Sequence, residues 1–345
     1  MNHRVALNFS DGNSVFFEAK HNELLLDAAF RNGVALPVDC REGVCSTCKG
    51  LCESGKYEQD YIDEDALSEE EIENRYILSC QTRVQSPASF YYDIDSGLYS
   101  NLKLTRFEAR VSNIENVSDS SVNLHLTLSD QSVKLDYLAG QYAKIHIPDT
   151  DQKRSYSFAT SSNNNGELQF LIRVLPQGIM SDYVKNRCQV GDTLTLDAPL
   201  GSFYLREVQH RLIMVAGGTG LSAFLSMLDE LITATRFNPE LKNVPVELFY
   251  CVSREADLCE LSRLDAYKTL LPKFSYQLII SNPSRTFTGH KGRITDVLNA
   301  QDLQSSTFDI YVCGPPPMIE AVKTWLTEEG VNNGTLYFEK FVAST

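Results

Sequence analysis

The chain reads as a multidomain α+β and α/β protein, with a small β-grasp-like module first, an antiparallel β-barrel next and a parallel-sheet α/β domain last. Three observations predict this. A hairpin, a helix and a cysteine loop with returning strands fill the opening stretch. Short strands between turn signals fill the middle. Continuous apolar runs alternating with helical periodicity fill the end. The 345 residues suffice for two or three domains of ~100–150 residues each. With 43% hydrophobic residues, each can bury a core. The expected boundaries are 1–97, a linker at 98–104, 105–207 and 208–345.

In the first module Val5, Leu7 and Phe9 alternate, Asp11 and Gly12 supply a turn, and Val15 and Phe17 follow, which is a hairpin pattern. Leu24, Leu25, Ala28 and Ala29 recur at helical spacing, with Gly33 placed as a C-cap. Ser68 followed by Glu69, Glu70 and Glu71 has the form of a capping box at the start of a short acidic helix. The linker has no period. From about Phe107 strands take over. Val122, Leu124, Leu126 and Leu128 alternate as in a half-buried antiparallel strand, and further strands are expected at 140–147, 168–174 and 193–196, with a helix at 181–187. After Arg211 the run Leu212-Ile213-Met214-Val215-Ala216 leads into glycines, and then Leu221, Phe224, Leu225 and Leu228 recur at helical spacing. Apolar runs at 246–251, 276–280 and 310–313 continue that alternation, hence a parallel sheet covered on both faces.

The formal net charge is −14, which argues against nucleic acid and anionic membranes as partners. Residues 1–97 hold 8 Lys and Arg against 18 Asp and Glu, so ten of those fourteen negative charges lie there. An acidic first module suits docking to a basic patch on a protein partner; solubility alone is the other reading. The N-terminus reads as a strand, without a secretion signal. No stretch approaches the ~18 apolar residues of a membrane span. Nine cysteines, an odd number with no disulfide-framework look, fit the reducing cytoplasm. Cys188, Cys251 and Cys259 stand alone and read as plain thiols.

Cys40, Cys45 and Cys48 are spaced C-x4-C-x2-C, and Cys80 follows far downstream. This is the ligand spacing of plant-type [2Fe–2S] clusters. A single tight loop and one return strand must bring four thiolates to two irons, with amides aimed at the sulfurs to offset negative charge. Gly43 permits a positive-φ turn between the first two ligands, and small Ser46 lets the backbone approach closely. A four-cysteine zinc site is the competing reading, but zinc knuckles pair C-x2-C with C-x2-C, and Cys80 has no such neighbour. Cys52 falls outside the spacing.

In the barrel, Arg154-Ser155-Tyr156-Ser157 lies between two strands, Arg173 ends another, and Gly178-Ile179-Met180-Ser181 opens a helix. An aromatic face, guanidinium groups for a diphosphate and free amides at a helix start are what a flavin dinucleotide needs. In the last domain Gly217-Gly218-Thr219-Gly220 separates an apolar strand from a helix, and Cys313-Gly314-Pro315 closes a later strand. Nucleotides bind at the carboxyl ends of parallel strands, so both turns can face one crevice; ordinary βα loops are the alternative.

In these motifs the chain resembles the oxygenase reductases that join a plant-type ferredoxin to a ferredoxin–NADP reductase-like module, and among them the reductase components of benzoate and anthranilate 1,2-dioxygenases. The resemblance spans essentially the whole chain. It implies a [2Fe–2S] cluster on Cys40, Cys45, Cys48 and Cys80. It further implies FAD held by Arg154, Tyr156, Ser157, Arg173 and the 178–181 loop, including Gly178, Met180 and Ser181. Nicotinamide dinucleotide is expected at Gly218, Thr219, Gly220, Cys313, Gly314 and Pro315. Glu339 and Phe341 match an acid and an aromatic that flank the flavin ring in relatives. Ser222 and Ala223 depart from the family, where a small residue and a proline usually follow GTG. Asp257 would hold ribose hydroxyls and repel a 2′-phosphate, favouring NADH, while Arg254 nearby argues the other way.

The implied activity is NADH-dependent electron transfer, from NADH to FAD to the cluster and on to a terminal oxygenase. Ser157 is expected to hydrogen-bond flavin N5, Tyr156 to cover the ring, and Cys313 and Glu339 to border the nicotinamide side. The six histidines are scattered with no Rieske or His/His/carboxylate pattern, so oxygen chemistry is expected on the partner. The reductase of a soluble di-iron monooxygenase, or a carrier without hydride chemistry, are the alternatives.

Overall fold

Strand alternation in the opening residues sets the first sheet. In a computed structural model, which describes residues 2–10, 12–94, 105–130, 132–162 and 166–341, β1 (Asn2–Phe9) and β2 (Ser14–Lys20) form the expected hairpin, with Val5 opposite Phe17 and Leu7 opposite Val15. Val5 and Leu7 are fully buried, each worth about 2 kcal/mol of transfer free energy. Helix α1 (Leu25–Arg31) follows and ends at Gly33, whose φ is +79°. Strands β3 (Lys49–Ser54), β4 (Tyr57–Gln59), β5 (Tyr76–Leu78), β6 (Thr82–Val84) and β7 (Ala88–Tyr92) complete the module, with α2 (Glu69–Glu73) between β4 and β5. The sheet order is β2-β1-β7-β3-β5, with β4 and β6 paired separately. Ser68 and Glu71 form the reciprocal capping box at α2.

Two compact units account for the chain: Met1–Thr105 with Leu200–Ser202, and Arg106–Pro199 with Phe203–Thr345. The expected linker at 98–104 lies outside the described residues. In the second unit β8 (Thr105–Ser118), β9 (Ser121–Leu128), β10 (Tyr142–His146), β11 (Lys153–Ser157), β12 (Glu167–Arg173) and β13 (Thr193–Leu200) form a sheet of order β11-β10-β13-β8-β9-β12. An antiparallel bridge between Phe158 and Phe170 joins its two ends, so the sheet closes into a barrel. Leu124, Leu126, Ala143, Ile145, Leu194 and Leu196 fill its interior, as period-2 alternation requires. The expected helix at 181–187 is α3 (Ile179–Asp182) running into a π-turn (Tyr183–Arg187).

The same unit continues through β14 (Arg211–Gly217), α4 (Leu221–Ala234), β15 (Val246–Val252), α5 (Leu261–Leu270), β16 (Phe274–Ile280), β17 (His290–Lys291), α6 (Ala300–Gln304), β18 (Phe308–Gly314), α7 (Pro316–Glu328) and β19 (Gly334–Lys340). All pairings in the sheet, order β17-β16-β15-β14-β18-β19, are parallel. Leu212, Met214 and Ala216 point into one core and Ile213 and Val215 into another, which is why the run had to be continuously apolar. Arg263 on α5 ties barrel to sheet: it donates to the Ala159 carbonyl (2.8 Å), to Gln169 Oε1 (3.0 Å) and to Asp229 Oδ2 (2.7 Å). Among the described residues no helix is long and apolar enough to cross a membrane.

Candidate functional site

Three groups of residues carry the chemistry. The first is the cysteine loop, between α1 and β3. Its backbone takes positive φ at Arg41 (+61°), Gly43 (+78°) and Ser46 (+58°). A Cβ on Gly43 would fall onto the Tyr61 carbonyl oxygen, so glycine is required there by conformation and by contact. This coiling brings the thiols together. Cys40 meets both Cys45 and Cys80, and Cys80 also meets Cys48. The amides of Glu42 and Val44 point at Cys40 and that of Gly43 at Cys80, with Glu42 N 3.3 Å from Cys40 Sγ.

These residues fit a [2Fe–2S] cluster. Cys45, Cys48 and Cys80 are buried. The adjacent Cys40 thiol, together with burial, pushes the Cys45 thiol well above its usual range. Several thiolates cannot coexist there without a cationic centre, and the thiolate is the ligand form. Among the described residues no group of three or more His, Cys, Asp or Glu is spaced for a single metal ion, so the fit rests on the thiol contacts and inward amides. Cys52 lies on β3, where Arg75 Nη2 approaches its sulfur at 3.0 Å.

The second group lines the barrel mouth. Arg154, Tyr156 and Ser157 lie on β11. Alternation sends Ser157 inward, where it is buried. Arg154 is turned to its own hairpin, donating to Gln152 Oε1 at 2.7 Å. A cavity of about 570 Å³ is lined by Ser120, Arg173, Gly178, Ser181, Lys185 and Arg254, among others. Arg173, Lys185 and Arg254 bring three cations against the carboxylates of Asp119 and Asp182, a surplus of positive charge that suits a diphosphate. Ser181 Oγ accepts from Leu175 N at 2.9 Å and so closes the loop on itself. Met180 sends its side chain into the barrel core instead, which leaves it only a first-turn amide to offer a cofactor.

The third group is the carboxyl edge of the parallel sheet. Ala216 and Cys313 are register partners on β14 and β18, which sets the two glycine turns side by side. A Cβ on Gly220 would fall onto the Cys313 carbonyl oxygen, and one on Gly217 would come 2.7 Å from Pro315 Cδ. Gly218 has φ +56°, and a Cβ there would lie 3.3 Å from Arg173 Nη1, so the barrel's arginine reaches the nucleotide turn. Ser222, standing where the family has its departure, donates to the Thr219 carbonyl at 2.9 Å and braces that turn.

Barrel and sheet meet at Glu339. Its Oε2 accepts from Ser157 Oγ at 3.1 Å and lies 3.7 Å from Cys313 Sγ. Phe341, two residues on, donates its amide to the Gly314 carbonyl at 2.8 Å and packs on the core. Asp257 is placed differently from expectation. It is buried and accepts from Ser120 Oγ (2.7 Å) and Arg254 Nη2 (3.0 Å), so it braces the barrel against the sheet rather than facing open space. Lys185 and Arg263 carry no sequence signal, and the fold alone brings them to these places.

Comparison with known proteins gives the same three parts. Residues 8–85 match the 2Fe-2S iron-sulfur cluster binding domain, 108–204 the oxidoreductase FAD-binding domain and 214–324 the oxidoreductase NAD-binding domain. The chain is 52% identical to the anthranilate 1,2-dioxygenase electron transfer component of Acinetobacter baylyi, over 100% of this chain and 98% of that one. It is 39% identical to the toluate 1,2-dioxygenase electron transfer component of Pseudomonas putida, over the full length of both. Among solved structures, the Amycolatopsis reductase GcoB superposes with a TM-score of 0.81 at 25% identity, covering 98% of this chain and 99% of that one.

Proposed function

We infer, for a chain that belongs to the electron-transfer components of aromatic-ring 1,2-dioxygenases, that its partner is the terminal oxygenase of such a system, with an anthranilate 1,2-dioxygenase the first to test. The chain is an NADH-dependent oxidoreductase with FAD and a [2Fe–2S] cluster. When bound, FAD accepts the hydride pair from NADH, and the cluster carries electrons singly.

The chain's own residues do the positioning. Cys40, Cys45, Cys48 and Cys80 hold the cluster, and the amides of Glu42, Gly43 and Val44 offset its charge. Arg173, Gly178 and Ser181, with the Met180 amide, hold the FAD diphosphate; Arg154 adds a flavin contact, Tyr156 covers the ring and Phe341 stands beside it. Ser157 gives its one hydroxyl proton to Glu339, so its oxygen faces the flavin as a hydrogen-bond acceptor. Gly218, Thr219, Gly220, Gly314 and Pro315 leave backbone room for the dinucleotide, and Cys313 borders its nicotinamide end. Hydride transfer needs donor and acceptor at about 3–3.5 Å, and two turns packed closely at Gly217, Gly220 and Gly314 serve that tolerance. The modules carrying these roles are 1–97, 105–207 and 208–345, and nine cysteines with no disulfide framework support the reducing cytoplasm as the protein's location.

The observation that carries this reading is the 52% identity, over the whole chain, to an anthranilate 1,2-dioxygenase electron transfer component. Reconstitution with candidate terminal oxygenases tests it, scored as NADH consumption coupled to aromatic dihydroxylation. Replacing Cys45 with serine should abolish cytochrome c reduction and spare ferricyanide reduction. Both activities surviving unchanged would remove the cluster from the electron path.

A further inference from the structure

Asp39 immediately precedes the ligand Cys40, and only 6% of its surface is exposed. A buried charge is costly unless hydrogen bonds replace the water it gives up. Here they do. Thr47 Oγ1 donates to Asp39 Oδ2 at 2.5 Å. Ser202 N donates to Oδ1 at 2.9 Å, and Ser202 Oγ donates to Oδ2 at 3.3 Å. Ser202 is distant in the chain, but Leu200–Ser202 packs as part of the same compact unit. Donors on both oxygens hold the group as a charged acceptor. A carboxylate so fixed beside four thiolate ligands is the opposite of what charge balance alone would place there.

Thr47 connects this anion to the ligands. It stands between Cys45 and Cys48 in the chain, and its hydroxyl lies within reach of the Cys45 sulfur as well as of Asp39. A threonine hydroxyl has one proton to give. The 2.5 Å contact falls at the short end of charge-assisted O–H···O⁻ bonds, about 2.5–2.7 Å, so that proton goes to Asp39 and the sulfur goes without it. The Asp39 charge is itself felt at Cys45. Both effects have one sign. Reduction adds an electron to the cluster, which nearby negative charge opposes and hydrogen bonds to the sulfurs favour. The amides of Glu42, Gly43 and Val44 act in the favourable direction, and Asp39 acts against them.

We propose that Asp39 tunes the cluster as a one-electron donor, its carboxylate lowering the reduction potential by its charge and by keeping the Thr47 proton from Cys45. This rests on the reductase reading above. The test is the midpoint potential of the FAD- and cluster-loaded protein, read from the EPR signal of the reduced cluster at set potentials. Iron content and g-values are the controls. Asp39→Asn keeps the side chain's shape and removes its charge. It should raise the potential by at least about tenfold in the one-electron equilibrium constant, which is about 59 mV. Asp39→Glu should return it toward wild type. Asp39→Asn combined with Thr47→Val, which has no hydroxyl to release, should rise by less than Asp39→Asn alone. A wild-type potential in Asp39→Asn with full iron overturns the proposal, and an equal rise in the single and double variants overturns the part given to Thr47. Asp39→Ser removes the charge with a smaller side chain and replaces Asp39→Asn if that variant loses iron. Loss of iron from both would assign Asp39 to assembly of the loop and overturn the tuning role. Chemically reduced wild-type protein without a [2Fe–2S] signal would instead overturn the cluster reading.

Discussion

Ser157 Oγ donates to Glu339 Oε2 across 3.1 Å, joining the last residue of the barrel strand β11 to the penultimate residue of the final strand β19. Both side chains are buried. Cys313 is the register partner of Glu339 in the parallel pair β18–β19, so strand pairing itself delivers the thiol to the same carboxylate. One carboxylate thereby sets the directions of two groups from different sheets.

Ser157→Ala should therefore slow flavin reduction by NADH about tenfold to a hundredfold, the range for losing one hydrogen bond to a charged or charge-developing group. Stopped-flow absorbance of the flavin measures this, with flavin content as the control for intact binding. A wild-type rate in the alanine variant would show that the hydroxyl only packs.

Much of this arrangement is legible in the sequence because it is local. The cysteine spacing, the Ser68–Glu71 cap and the apolar run at 212–216 are each written within a few residues. The convergence of Ser157, Cys313 and Glu339 is not, since their contacts span 182 and 26 residues and depend on strand register and barrel closure at Phe158 and Phe170. The neighbours of Asp257, Ser120 and Arg254, show the same limit from the other side. Glu255 and Asp257 are two residues apart in one short 3-10 turn. Which carboxylate meets Ser120 and which meets Ser284 is decided by tertiary neighbours with no local signature.

Arg263 should matter for the integrity of the second unit. It satisfies a carbonyl and an amide of the barrel and a carboxylate of α4 at once, and Tyr267 shares the Asp229 carboxylate at 2.6 Å. Arg263→Ala leaves these acceptors without their cation, at a cost of about 1–3 kcal/mol. Urea unfolding followed by flavin release should show an earlier midpoint. An unchanged midpoint would mean that water replaces the guanidinium without loss.

Asp197 predicts a pH dependence. Burial alone would raise its carboxyl pKa, but Arg106 (2.9 Å), Lys153 (2.7 Å) and His146 (2.9 Å) surround it and lower it to about 2. A carboxyl depressed in the folded state stabilises above its unfolded pKa of about 3.9, and that stabilisation is lost as pH falls through the folded value. The urea midpoint of Asp197→Asn should thus fall below wild type by an amount worth about 1–2 kcal/mol at pH 6. The gap should close between about pH 4 and pH 2. A gap that persists at pH 2 would assign the effect to packing instead of charge.

Gly43 and Gly33 offer a matched pair in the first unit. Their φ values are +78° and +79°, so alanine at either position costs the same left-handed backbone penalty, about 1–2 kcal/mol. They differ in what a Cβ meets: nothing within 4 Å at Gly33, the Tyr61 carbonyl oxygen at Gly43. Relieving the second clash moves the loop whose amides reach Cys40 and Cys80. Gly43→Ala should lose iron and the cluster's visible absorbance while keeping flavin, and Gly33→Ala should keep both. Equal iron in the two variants would show that the loop yields without disturbing the sulfurs, and that the cluster depends on the thiols alone.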